Sequence, residues 1–170
     1  MNIPLTVVDP VFCAIDTPDV GAAEKLAVDL KGAAGGIKLG KEFFTANGPD
    51  GVIRVRDAGG VPVFLDLKFH DIPNTVAGAV RIACKMIPYM MTIHASGGPA
   101  MIRAAADAAV AGGDANGGAR PQIIAVTVLT SLDQADLKAV GVSDTPSDQV
   151  RRLAALAQQN GADGIVCSPH

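Results

Sequence analysis

A chain of 170 residues has the length of one domain and can bury a sizeable core. Its composition is 49% hydrophobic, 18% charged and 4% aromatic, which excludes disorder, because disorder needs low hydrophobicity and high charge. The net charge is −3 and no run of Lys and Arg forms a basic patch, which argues against nucleic acid as a partner.

The start, MNIPLTVVDPVF, lacks the basic and apolar regions of a signal peptide, and no apolar run approaches the roughly 20 residues that span a bilayer. The first predicted strand is Val11 to Asp16 (VFCAID), and apolar residues at helical spacing follow from Asp19 to Ala33. Gly36 to Gly40 (GIKLG) reads as a second strand and Pro49 to Ala58 as a helix. The third strand is Val61 to Lys68 (VPVFLDLK), with a helix from about Thr75 to Ile87. Tyr89 to Ala95 (YMMTIHA) is the fourth, with a helix from Pro99 to Ala111 and a Gly-rich surface loop over Gly112 to Gly118. Pro121 to Thr130 (PQIIAVTVLT) is the fifth. Two helices follow, Gln134 to Val140 and Ser147 to Asn160, the second marked by Pro146 before it and Gly161 after it. Gly164 to Ser168 (GIVCS) is the sixth strand. No linker interrupts the series, so residues 1–170 read as one domain.

Strands alternating with helices imply a parallel sheet joined by right-handed crossovers. An open doubly wound sheet gathers ligand groups at one switch point. Here Asp16, Lys38, Lys68, His94 and Thr130 fall at or near the C-terminal ends of different strands, where (β/α)₈ barrel enzymes build their sites. The expected fold is therefore α/β, a TIM (β/α)₈ barrel of which this chain carries about six of eight units. Cys13, Cys84 and Cys167 show neither a metal pattern nor a disulfide framework, and are expected to be buried thiols in a reducing compartment, the cytoplasm. Gly35 to Lys41 (GGIKLGK) approaches a P-loop, but Glu42 stands where a hydroxyl for magnesium is needed.

The densest chemistry lies in Asp66-Leu67-Lys68-Phe69-His70-Asp71-Ile72-Pro73-Asn74-Thr75. Alternation on a strand points Asp66 and Lys68 to one side and Leu65 and Leu67 to the other. Neighbouring carboxylates favour the charged form of a lysine, and a protonated lysine held in a cleft is a general acid. An ion-pair network that only ties off a strand end would fit this spacing too. His94 is expected to hydrogen-bond within the barrel mouth, His70 to be a network residue, Phe43 and Phe44 to be core or interface, and Asp133 and Asp136 to be solvated charges at a helix start.

The ten-residue string DLKFHDIPNT strongly resembles the signature of the orotidine 5'-phosphate decarboxylase family. AIDTPD, IKLGKEFF, TIHASGG, AVTVLTS and DGIVCSPH resemble the family's other strand ends in order and spacing. The resemblance implies a cofactor-free and metal-free carboxy-lyase that converts orotidine 5'-phosphate to UMP in pyrimidine biosynthesis. Lys68, Asp66 and Asp71 would form the catalytic array, with Lys68 delivering a proton to C6. Asp16 and Lys38 would hold the ribose hydroxyls, and Thr130 the pyrimidine. Asp71, Ile72 and Thr75 would reach into the neighbouring subunit of a homodimer.

Two further readings stay open. One is a Mg²⁺-dependent sugar-phosphate lyase or decarboxylase of the same suprafamily, although Lys38 stands on the strand where that group places a metal-binding carboxylate. The other is a non-catalytic truncated half-barrel. The family's phosphate-gripping Gln and Arg belong to two later units, so the expectation is either a longer protein of which this is part or a 170-residue product with little decarboxylase activity.

Overall fold

The computed structural model describes residues 9–115, 117 and 120–168. Its six strands are β1 (Phe12–Ile15), β2 (Gly36–Gly40), β3 (Val63–Phe69), β4 (Met90–His94), β5 (Gln122–Val126) and β6 (Gly164–Val166). The helices are α1 (Val20–Asp29), α2 (Lys41–Gly59), α3 (Pro73–Ala83), α4 (Gly98–Ala115), α5 (Gln134–Ala139) and α6 (Pro146–Gln159). The strands form one parallel sheet in the order β1-β2-β3-β4-β5-β6. Because the order never reverses, right-handed crossovers lay successive helices on the same face. That is barrel winding, and the sheet has no switch point.

The two faces follow from the period of two along each strand. Ile15, Ile37, Leu39, Val63, Leu65, Met91, Ile93 and Ile123 are buried and form the core with Phe43, Val52, Val55, Val76, Val80, Met101 and Ile102 from the helices. The alternate residues line the concave side. At its N-terminal end Phe12 packs edge-on to Phe64 (ring centroids 6.1 Å apart) and stacks on Tyr89 (5.9 Å). An apolar floor therefore lies beneath a polar mouth.

Several sequence expectations need correction. The second helix begins at Lys41 rather than Pro49, and it kinks where Gly48 takes φ 61° ahead of Pro49. The loop expected over 112–118 is helical as far as Ala115, and Gly112 and Gly113 are buried. A Cβ on Gly113 would stand 2.7 Å from Arg120 Cα, so its lack of a side chain serves close packing and not a turn. The remainder of that expected loop, except residue 117, lies outside the described residues, as does His170. The fifth strand ends at Val126, four residues before Thr130. β6 is only three residues long, and Thr127 uses both its N–H and its hydroxyl on the Val166 carbonyl, leaving no ladder beyond.

Other expectations hold. α6 has Pro146 in its first turn and Thr145 capping it. Asp133 and Asp136 form a reciprocal capping box on α5. Phe43 is buried and Phe44 packs against the core. The expectation of three buried thiols is the exception and is corrected: only Cys84 is buried, while Cys13 is half-buried and Cys167 exposed, because β1 and β6 are the sheet's edge strands. No helix of the described residues is long and apolar enough to cross a membrane.

Candidate active site

Three adjacent strands bring five polar side chains to the concave mouth. β2 supplies Lys38, β3 supplies Asp66 and Lys68, and β4 supplies Thr92 and His94. Lys68 Nζ lies 2.7 Å from Asp66 Oδ2, and Lys38 Nζ lies 3.8 Å from the same oxygen. The other carboxylate oxygen, Oδ1, accepts a 2.8 Å hydrogen bond from the Thr92 hydroxyl. That hydroxyl in turn accepts the Lys68 backbone N–H at 2.8 Å. The Asp66 side chain is 13% exposed, and the two lysines 25% and 27%. Two ammonium groups facing one carboxylate leave a formal positive charge at the mouth, suited to an anionic substrate. Thr92, fully buried, is the residue that sequence reasoning missed. Its only signal was a hydroxyl at a concave-facing position two residues before His94.

Lys68 itself has φ +54°, although it lies inside a strand. The β3–β4 register slips between Leu65 and Phe69, as at a β-bulge. A left-handed conformation costs a residue with a Cβ about 1–2 kcal/mol. Such outliers collect at functional sites, where surrounding contacts hold them in place.

The other expected residues are not all drawn together. Asp16 is exposed just past β1 and forms no ion pair among the described residues. Asp71, Ile72 and Thr75 lie in an exposed run leading into α3, with Ile72 66% exposed. The Asp71 carboxylate accepts the N–H of Ile72 at 2.6 Å and lies outside the Asp66–Lys68 cluster. Thr130 is exposed on the rim of a cleft of about 360 Å³ shared with Val128, Leu129, Pro146, Ser147 and Arg151.

The His94 ring contacts the His70 ring at 5.2 Å between centroids, tilted by 37°. This replaces the expected hydrogen bond, since none to the His94 side chain occurs among the described residues. Burial, then His70, Lys41 and Lys68, push the His94 pKa below the usual histidine value, against the opposing pull of Asp66.

The mouth, with its lysine and aspartate on one strand and a second lysine from the strand before, can be set beside known proteins. The model of the orotidine 5'-phosphate decarboxylase / HUMPS family matches residues 9–170. The chain belongs to this family. It is 57% identical over 160 residues to the orotidine 5'-phosphate decarboxylase of Rhodospirillum rubrum, covering 94% of this chain and 65% of that protein. With the enzyme of the same name from Paramagnetospirillum magneticum it shares 56% identity, covering 95% of this chain and 68% of that protein. The crystal structure of orotidine 5'-phosphate decarboxylase from Lactobacillus acidophilus superposes with TM-score 0.84 at 35% identity, over 95% of this chain and 72% of that one. The six strands are therefore a continuous arc of the family's barrel, and the chain spans about two thirds of the length of these curated relatives.

Proposed function

We propose that this protein decarboxylates orotidine 5'-phosphate to UMP, with Lys68 as the proton donor. The observation that carries the reading is the Asp66–Lys68 contact of 2.7 Å, fixed by Thr92 and joined by Lys38 at the barrel mouth. In this reading the C6–carboxylate bond breaks heterolytically. CO₂ leaves, and the electron pair stays at C6 and takes a proton from Lys68 Nζ. The resulting amine is reprotonated from solvent. Asp66 acts by preorganisation, because its charge and the lysine's are already in place when substrate arrives. No cofactor is used. Asp16 and Lys38 hold the ribose hydroxyls, and Thr130 contacts the pyrimidine from the rim of its cleft.

The protein acts as a homodimer in the cytoplasm. Exposure of residues 71–75 supports a cross-subunit role in which Asp71, Ile72 and Thr75 complete the neighbour's site. The rival Mg²⁺-dependent sugar-phosphate chemistry is disfavoured by Lys38, whose ammonium lies 3.8 Å from Asp66 and would repel a divalent cation.

The test is UMP formation from orotidine 5'-phosphate. Lys68→Ala is expected to lower kcat by about 10²–10⁴-fold, the usual share of a positioned general acid. Added EDTA should leave the rate unchanged; loss of activity that Mg²⁺ restores would favour the rival. A product consisting of these 170 residues alone should show little or no turnover, since remote phosphate contacts organise such a site. Near-normal turnover by that product, abolished by Lys68→Ala, would overturn this last expectation.

A further inference from the structure

The conformation of Lys68 needs support on both sides of the bulge. On one side Thr92 of β4 accepts the Lys68 backbone N–H. On the other, ladder register is regained only at Phe69, which pairs with Ile93, and the chain leaves the strand at His70. The next side chain on the concave side of β4 beyond Thr92 is His94, and its ring meets that of His70. The turn after β4 closes in from another direction, since a Cβ on Gly97 would stand 3.3 Å from His70 Cδ2 and 2.1 Å from Met101 Sδ. Alternate side chains of β4 thus meet this segment at the strained residue's own N–H and at the ring two residues beyond it.

We propose that the His70–His94 ring pair is a positioning element for Lys68, closing the bulge from its C-terminal side so that the ammonium stays on Asp66. The pair does not touch the reacting atoms; it acts through the β3 backbone. This inference rests on the decarboxylase reading for its kinetic readout. Its chemistry also sets a pH dependence. His94 faces His70 from the loop after β3, Lys41 from α2, and Lys68 and Asp66 from β3. Burial and three basic neighbours keep its imidazole neutral, opposed by Asp66 alone. Protonation would place a cation among Lys41, Lys68 and His70 and drive the rings apart.

The experiment compares wild type with His70→Ala and His70→Phe in the full-length protein, since these 170 residues alone are expected to turn over little substrate. Moving a reacting group by about 1 Å costs on the order of 100-fold in rate. His70→Ala is therefore expected to lower kcat about 10- to 100-fold with KM nearly unchanged, and His70→Phe, which keeps a ring against His94, should restore most of it. A His70→Ala enzyme with kcat within about twofold of wild type would overturn the proposal. So would parallel losses of kcat and folding stability that His70→Phe fails to rescue. NMR titration of the His94 ring protons provides an arm independent of turnover. In His70→Ala the His94 pKa should rise toward the usual histidine value, and an unchanged titration refutes the ring pair. A wild type that binds but does not decarboxylate orotidine 5'-phosphate would instead refute the proposed function, leaving the NMR result to judge the pair.

Discussion

Thr92 Oγ1 connects the strained lysine to its counterion through one hydroxyl, accepting from Lys68 N and donating to Asp66 Oδ1. Thr92→Val keeps the shape and removes both bonds, leaving the Lys68 N–H unsatisfied. The expected loss is about 1–3 kcal/mol of stability by urea unfolding, with a larger proportional loss of kcat than of substrate affinity. At Lys68 the positive φ separates two truncations that remove the same ammonium. Lys68→Ala keeps the Cβ penalty and Lys68→Gly removes it, so the glycine variant should be the more stable by about 1 kcal/mol although both lose the proton donor. Equal unfolding midpoints would mean that the bulge relaxes when the ammonium is removed. His94 titrates with a lowered pKa, so at acid pH the unfolded chain binds a proton that the folded chain resists. Stability from this group is therefore fully present above about pH 6.5 and declines as pH falls below it. Urea midpoints at neutral and mildly acidic pH should show that decline, and His94→Gln should flatten it.

Among the elements, α4 packs closely on the turn after α3 and on the segment before β5 because glycines line those contacts. A Cβ on Gly112 would stand 2.5 Å from Cys84 Sγ, and one on Gly113 would meet the Arg120 backbone. Arg120 cannot retreat easily, because its guanidinium grips Asp163 with bonds of 3.0 and 2.9 Å. Asp163 also accepts the Ile123 N–H, joining the starts of β5 and β6. Gly113→Ala should thus destabilise by about 1–3 kcal/mol through overpacking. In an exposed helix the same change would stabilise by about 1 kcal/mol, so the sign decides between a buried helix and a surface segment. Thiol labelling should follow exposure, with Cys167 alkylated first, Cys13 more slowly and Cys84 only on unfolding. Burial also pushes the Cys84 pKa up, reducing its reactive thiolate.

For the whole molecule, the exposed run from Asp71 to Thr75 and the charge balance at the Asp66–Lys68 pair bear on the proposed dimer together. A single chain offers one carboxylate to two lysines, and a second copy presenting Asp71 would balance them. Ile72→Asp puts a charge at the most exposed apolar side chain of that run. If the proposed dimer forms through this run, the variant should sediment as a monomer in analytical ultracentrifugation and lose UMP formation in proportion. A variant that stays dimeric and fully active would remove residues 71–75 from the interface.

Much of this protein was determined by its sequence alone. The alternation of strand and helix, the side of β3 shared by Asp66 and Lys68, and the start signals of α5 and α6 all follow from local periodicity and capping, which depend on neighbours a few residues away. The string DLKFHDIPNT was enough to indicate the family. The Gly-rich stretch after residue 111 was misread because glycine serves close helix packing as well as turns, and only the position of Arg120 and Cys84 distinguishes the two uses. The early end of β5 was likewise invisible, because it is set by the short partner strand β6. The left-handed Lys68, its brace by Thr92 and the meeting of His70 with His94 were decided by tertiary structure. Each depends on the register between β3 and β4, a relation between residues more than 20 positions apart that no local pattern encodes.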